Sequence, residues 1–155
     1  VDVLAATNFS WWCFHERAEL KGYLENCRRS LRDEGMLMLD IFGGSEAQVL
    51  QFEERDCEGY TYVWDQDAFN PITHEYVCRI HFRFPDGSEL TDAFVYHWRL
   101  WSIPEVRDLL LEVGFSRVEV YWEGADEDGE PSGEFQIDNG GDNSPAWVAY
   151  IVAFR

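Results

Sequence analysis

Asn8, Phe9 and Ser10 are the first residues whose types and placement suit chemistry, because they close a short apolar run over residues 1–7. Open α/β sheets build their sites there, beyond the carboxyl end of a strand. The Asn8 amide can donate and accept hydrogen bonds toward a ligand, or simply cap its own loop. Trp11, Trp12 and Phe14 follow and either wall a pocket or pack the next helix. Further along, Tyr96-His97-Trp98-Arg99 gathers a phenol, an imidazole and a guanidinium within four residues. His97 is the candidate general base, against the plainer alternative of a structural strand histidine. Arg99, with Trp98 and Trp101 beside it, suits either a substrate carboxylate or a surface ion pair. Ser10, Trp12, Tyr96, Arg99 and Trp101 are therefore the candidate substrate contacts.

Metal chemistry finds little support. His74 and His81 are not spaced as a ligand pair, and Cys13, Cys27, Cys57 and Cys78 form no Cys-x-x-Cys motif. The acidic stretch Asp126-Glu127-Asp128 with Glu130 does not follow the calcium-loop spacing. With 30 acidic against 12 basic side chains the net charge is -18, which repels phosphate backbones and anionic bilayers. Neither a nucleic-acid nor a membrane partner is expected. The same charge is either a solubility surface or an attraction for a cationic amine substrate. No basic region precedes an apolar stretch at the start, and no apolar run reaches membrane length, since Asp40 and the charges of residues 18–34 interrupt them. Unpaired, mostly buried cysteines fit a cytoplasmic setting.

The elements that must position these residues read as α/β, in one domain spanning 1–155. Residues 1–7 have the pattern of a strand buried on both faces. A helix over 15–31 follows, with Leu20, Tyr23, Leu24, Cys27 and Leu31 on one stripe. After Gly35, residues 36–42 make a second buried strand, so strand, helix and strand form a parallel crossover unit. A short helical stretch is expected near residues 45–54. A β-rich insertion of three antiparallel strands then occupies about 57–101. Its faces carry Tyr60, Tyr62 and Trp64, then Cys78, Ile80, Phe82 and Phe84, then Phe94, Tyr96 and Trp98. These aromatics are either the insertion's core or a cage for a cationic amine. Pro85-Asp86-Gly87-Ser88 is the hairpin turn. Ser102-Ile103-Pro104-Glu105 opens a second helix with a capping box, and Gly114 closes it. Residues 117–122 are a strand, 123–141 a flexible loop, and 146–154 a final apolar strand.

Several of these segments together resemble class I S-adenosylmethionine (SAM) dependent methyltransferases. Asp2 to Ser10 looks like the family's fourth-strand motif, with an acidic opening and polar or aromatic residues at its carboxyl end. Ser30 to Asp40 is similar to the family's turn into the fifth strand, with Asp33-Glu34-Gly35 replacing Pro-Gly-Gly. Residues 102–115 and 118–121 look like the closing helix, Gly-Phe pair and sixth strand. Residues 146–154 would then be the seventh strand, antiparallel between the fifth and sixth. The resemblance implies a partial Rossmann-like methyltransferase sheet with an inserted hairpin or three-stranded lid. It implies that Asn8 and Phe9 face SAM and that a small molecule is the substrate.

One part of the family pattern is missing. Members hold SAM through a glycine-rich loop after the first strand and an acidic residue ending the second, because glycine permits close backbone approach and a carboxylate takes ribose hydroxyls. No such loop follows a strand here; Gly43-Gly44 comes after what would be the fifth. The expectation is therefore a C-terminal half that binds SAM weakly or not at all by itself, inactive apart from the full-length enzyme. The rival is a non-catalytic α/β binding or dimerisation module. In either case the first strand presents an open edge that a second copy would cover. Sedimentation velocity at high concentration should show a homodimer; a clean monomer would contradict that pairing.

Overall fold

A computed structural model describes residues 1–125 and 131–155. The chain divides into two compact units, one of residues 1–47 with 101–155 and one of residues 48–100.

The first unit is built on a five-stranded sheet. β1 (Val3–Ala6) runs parallel to β2 (Met36–Gly43), with α1 (Arg17–Ser30) between them in sequence. The remaining strands are antiparallel, in the order β1-β2-β9-β7-β8. β9 (Trp147–Phe154) lies between β2 and β7 (Arg117–Ala125), as the family resemblance implied, and β8 (Pro131–Ile137) forms the far edge. Leu37, Leu39 and Ile41 of β2 pair with Ala153, Ile151 and Ala149 of β9, and all six are fully buried. Leu20, Leu24 and Cys27 of α1 and Val106, Leu109 and Leu110 of α2 (Ile103–Glu112) are buried as well. Helical spacing of these apolar residues leaves the opposite helix faces charged. Ser102 caps α2 in a reciprocal box with Glu105, and Gly114 ends it at φ 95.

The second unit is a four-stranded antiparallel sheet, β3 (Gln51–Cys57), β4 (Tyr60–Phe69), β5 (Glu75–Arg83) and β6 (Glu89–Arg99), paired in sequence order. The β5–β6 turn closes through Phe84 and Ser88, with Gly87 at φ 83. Register places Trp64, Ile80 and Phe94 in one row and Gln66, Cys78 and Tyr96 in the next.

Four expectations change. β1 is shorter than residues 1–7 and is not buried on both faces: it pairs only with β2, leaving Val3 51% exposed. The helical stretch near 45–54 is a single 3-10 turn, Ser45–Gln48, after which the chain extends into β3. The inserted sheet therefore has four strands rather than three and begins before residue 57. The strand at 117 runs on to Ala125, and β8 replaces much of the loop expected over 123–141. Only Phe135 in β8 is partly buried, so the strand shows none of the apolar alternation that marks a half-buried strand.

Gly43 and Gly44 end β2 for a packing reason. A side chain on Gly43 would overlap the Trp147 ring, and one on Gly44, at φ +103, would overlap the Pro145 carbonyl. Gly87 has the same backbone preference but open space around it. Gly44→Ala should lower unfolding free energy by about 2 kcal/mol or more, and Gly87→Ala by only about 1. Urea titration of the two variants checks the ordering.

Candidate active site at the carboxyl end of β1

The chain leaves β1 through two consecutive non-glycine residues in the left-handed region, Asn8 at φ 58 and Phe9 at φ 54. Such a conformation costs roughly 1–3 kcal/mol per residue and persists only where the surroundings enforce it. Asp40 enforces it. This aspartate stands in the middle of β2, only 7% exposed, and its Oδ1 accepts the Phe9 N–H at 3.0 Å. The main-chain oxygen of the same residue accepts the Trp11 indole N–H at 2.9 Å. A 3-10 turn, Ser10–Cys13, then carries the chain toward α1.

Burial pushes the Asp40 carboxyl above the ordinary aspartate range, and the backbone N–H groups of Phe9 and Asn8 pull partly back. A lone acid inside the apolar run Met36-Leu37-Met38-Leu39-Asp40-Ile41-Phe42 was the available signal for this residue. In the sequence it counts only as an interruption.

Aromatic rings pack around the turn. Phe9 meets Phe42 edge-on at 4.7 Å, and Trp12 stacks on Phe42 at 4.5 Å. Trp12 is fully buried, so it packs the turn from behind, whereas Asn8 and Ser10 are exposed. Trp101 is 2% exposed, and its indole N–H donates to the Phe14 carbonyl at 3.1 Å. Phe9, Trp12 and Phe42 thus form one aromatic cluster beneath a turn that exposes Asn8 and Ser10.

The remaining candidates lie on β6. Tyr96 stacks on Trp98 at 4.4 Å, while His97, opposite Val77, is on the other face with Arg99. The period of two separates neighbours that look adjacent in the sequence. His97 is exposed and Arg99 half-buried.

Two tests bear on bound groups. Trp147 and Pro145 fill the space at Gly43 and Gly44, so these glycines are no ligand cradle, and the described residues contain no glycine-rich loop after a strand that would hold SAM. No group of three or more His, Cys, Asp or Glu side chains among the described residues is arranged to hold a metal. The acidic stretch considered for calcium, 126–130, lies outside the described residues.

No protein-family model matches the sequence, and no curated protein matches it. Solved structures do. The CcbJ methyltransferase of Streptomyces caelestis superposes with a TM-score of 0.65 at 14% identity, over 97% of this chain and 59% of CcbJ. SAM-bound CalS10, an amino pentose methyltransferase of Micromonospora echinaspora, gives 0.61 at 13% identity, over 99% and 58%. The sugar N-methyltransferase KedS8 of Streptoalloteichus gives 0.58 at 15% identity, over 99% and 56%. This chain therefore spans less than two thirds of each, and its fold is that of their C-terminal part.

Asp40→Ala removes the acceptor from the Asn8–Phe9 turn and should cost roughly 1–3 kcal/mol. Asp40→Asn keeps an oxygen there and removes the charge. The folded Asp40 holds its proton more tightly than the unfolded chain does, so ionisation costs stability as pH rises from the ordinary aspartate value to the raised one. Over that window the wild type should lose stability relative to Asp40→Asn, with no further divergence above it. Urea unfolding of both proteins between pH 3.5 and 8 gives the comparison.

Proposed function

We propose that this chain is the C-terminal part of a SAM-dependent methyltransferase acting on a small molecule. The observation that carries the proposal is the superposition of 97% of the chain on CcbJ, a methyltransferase of which it covers 59%. Methyl transfer asks a protein mainly to position the acceptor and exclude water. The turn after β1 supports that role: its backbone is held against a local energetic preference, and Asn8 and Ser10 are exposed on it. We assign Asn8 and Phe9 to the cofactor side and Ser10 to the substrate, with Trp12 as packing behind the turn; on β6, Arg99 is the substrate candidate that shares a face with His97, and Tyr96 lies on the opposite face. On this reading the longer protein is the active species, and because no glycine-rich cradle follows a strand among the described residues, SAM binding by these residues alone is weak.

Amines are the first acceptors to test. The charge of -18 draws cations, and CalS10 and KedS8 are described as an amino pentose and a sugar N-methyltransferase. A protonated amine must lose its proton before it can attack, and the exposed His97 is our candidate base. A second possibility, a dimerisation module, is favoured by the open β1 edge with Val1 and Val3 59% and 51% exposed.

The gene product in full should transfer methyl from SAM to a member of a panel of small amines, acids and phenols. No transfer to any of them would refute the proposal. Calorimetric titration of SAM into the 155-residue chain should show little heat, and tight stoichiometric binding would refute the incompleteness. If His97 is the base, His97→Ala should lower kcat on an amine by about 100-fold or more and remove a limb of the pH–rate profile.

A further inference from the structure

β6 carries an irregularity whose cause lies in one side chain. Ile80 pairs with Phe94 and Phe82 with Leu90, so Thr91, Asp92 and Ala93 all stand opposite His81. Asp92 is in the left-handed region at φ 51, although it is not glycine. Its backbone N–H donates to His81 Nδ1 at 2.8 Å. That bond requires a bare lone pair on Nδ1, so the ring proton is on Nε2, which approaches Asp65 Oδ2 at 3.5 Å. The Asp65 residue is 8% exposed and the His81 side chain 16%. With both nitrogens engaged, the imidazole can take a proton at Nδ1 only by giving up the Asp92 N–H.

The charged groups around it come from all four strands. Asp65 and Asp67 belong to β4, Arg79 and Arg83 to β5, Glu89 and Asp92 to β6, and Glu54 of β3 reaches Arg83. Arg79 holds Asp67 at 2.9 Å and Asp92 Oδ2 at 3.1 Å, and Arg83 holds Glu54 at 2.6 Å and Glu89 at 3.3 Å. All of these but Glu54 line a cavity of about 420 Å³, and they are largely committed to one another. What remains able to change state is the imidazole. The Asp92 carboxylate Oδ1 waits 3.7 Å from Nδ1.

We propose that His81 is a pH-operated pin on the β6 bulge. When neutral, it accepts the Asp92 N–H and holds the left-handed residue in place. When a solvent proton adds at Nδ1, the acceptor becomes a donor, the backbone N–H is released, and Nδ1–H turns to the Asp92 carboxylate. That carboxylate is then shared between His81 and Arg79, and the cavity wall formed by Thr91 and Asp92 rearranges. The Asp65 carboxylate faces Nε2–H in both states and takes no part in the exchange.

Nitrogen-15 NMR on the 155-residue chain between pH 8 and pH 5, where histidines change charge, tests this directly. At pH 8 the His81 shifts should report the Nε2–H tautomer, with a through-hydrogen-bond coupling between Nδ1 and the Asp92 amide nitrogen. On acidification that coupling should vanish as the Asp92 amide proton moves upfield, in step with the ring. In Asp92→Asn the amide remains but the waiting carboxylate is gone, so the His81 midpoint should move to lower pH. An Nδ1–H tautomer at pH 8, an Asp92 amide indifferent to the His81 titration, or an unchanged midpoint in Asp92→Asn would overturn the proposal.

Discussion

The carboxylate of Asp40 is the constraint on which the first unit's site depends. A charged group in the middle of a buried strand is costly, and here the cost is partly offset by N–H groups that have no strand partner to donate to. β1 ends at Ala6 and the chain must turn at once toward α1. Two residues take up left-handed backbone to do so, and the amide thereby turned inward meets the Asp40 carboxylate on β2. Side chain and main chain of the same aspartate hold Phe9 and Trp11 together. The aromatic packing of Phe9, Trp12 and Phe42 follows from that fixed entry angle.

The second unit solves a different problem. Its strands are joined in sequence order, so pairing is local and the register comes from turn geometry and alternating side chains. Two registers slip, one between Gln66 and Ala68 and one between Ile80 and Phe82. A bulge re-aims the residues that follow it. At the second slip polar side chains replace the missing ladder, since His81 takes the amide that a neighbouring strand would otherwise have bonded.

Much of this architecture was legible in the sequence, and the failures have physical causes. Period-two aromatics around Phe82 and Tyr96, the Pro85–Ser88 turn, and the Ser102–Glu105 cap each combine local propensity with the final structure, so they read correctly. The placement of β9 between β2 and β7 came from family resemblance, because apolar residues 146–154 alone do not say which strands they join. β3 and β8 were missed because both are largely exposed edge strands whose residues, Glu53, Glu54, Arg55 and Asp56 among them, carry no alternation. Asp40 was visible as an oddity but its partner was not. Nothing in the letters Asn8-Phe9 announces a left-handed backbone, and the need for an acceptor arises only once β1 and β2 lie side by side. On β6, period-two alternation already set Tyr96 and Trp98 against His97 and Arg99, and the register keeps them on opposite faces.

The position of β9 has a consequence for the order of assembly. It is the bridge between the β1–β2 pair and the β7–β8 pair, yet it follows every other strand in the chain. Residues 48–100 make their sheet from neighbouring segments and can close it early, during synthesis. The two halves of the other sheet must wait, each with an apolar ladder edge exposed, until residues 147–154 arrive to zip them together.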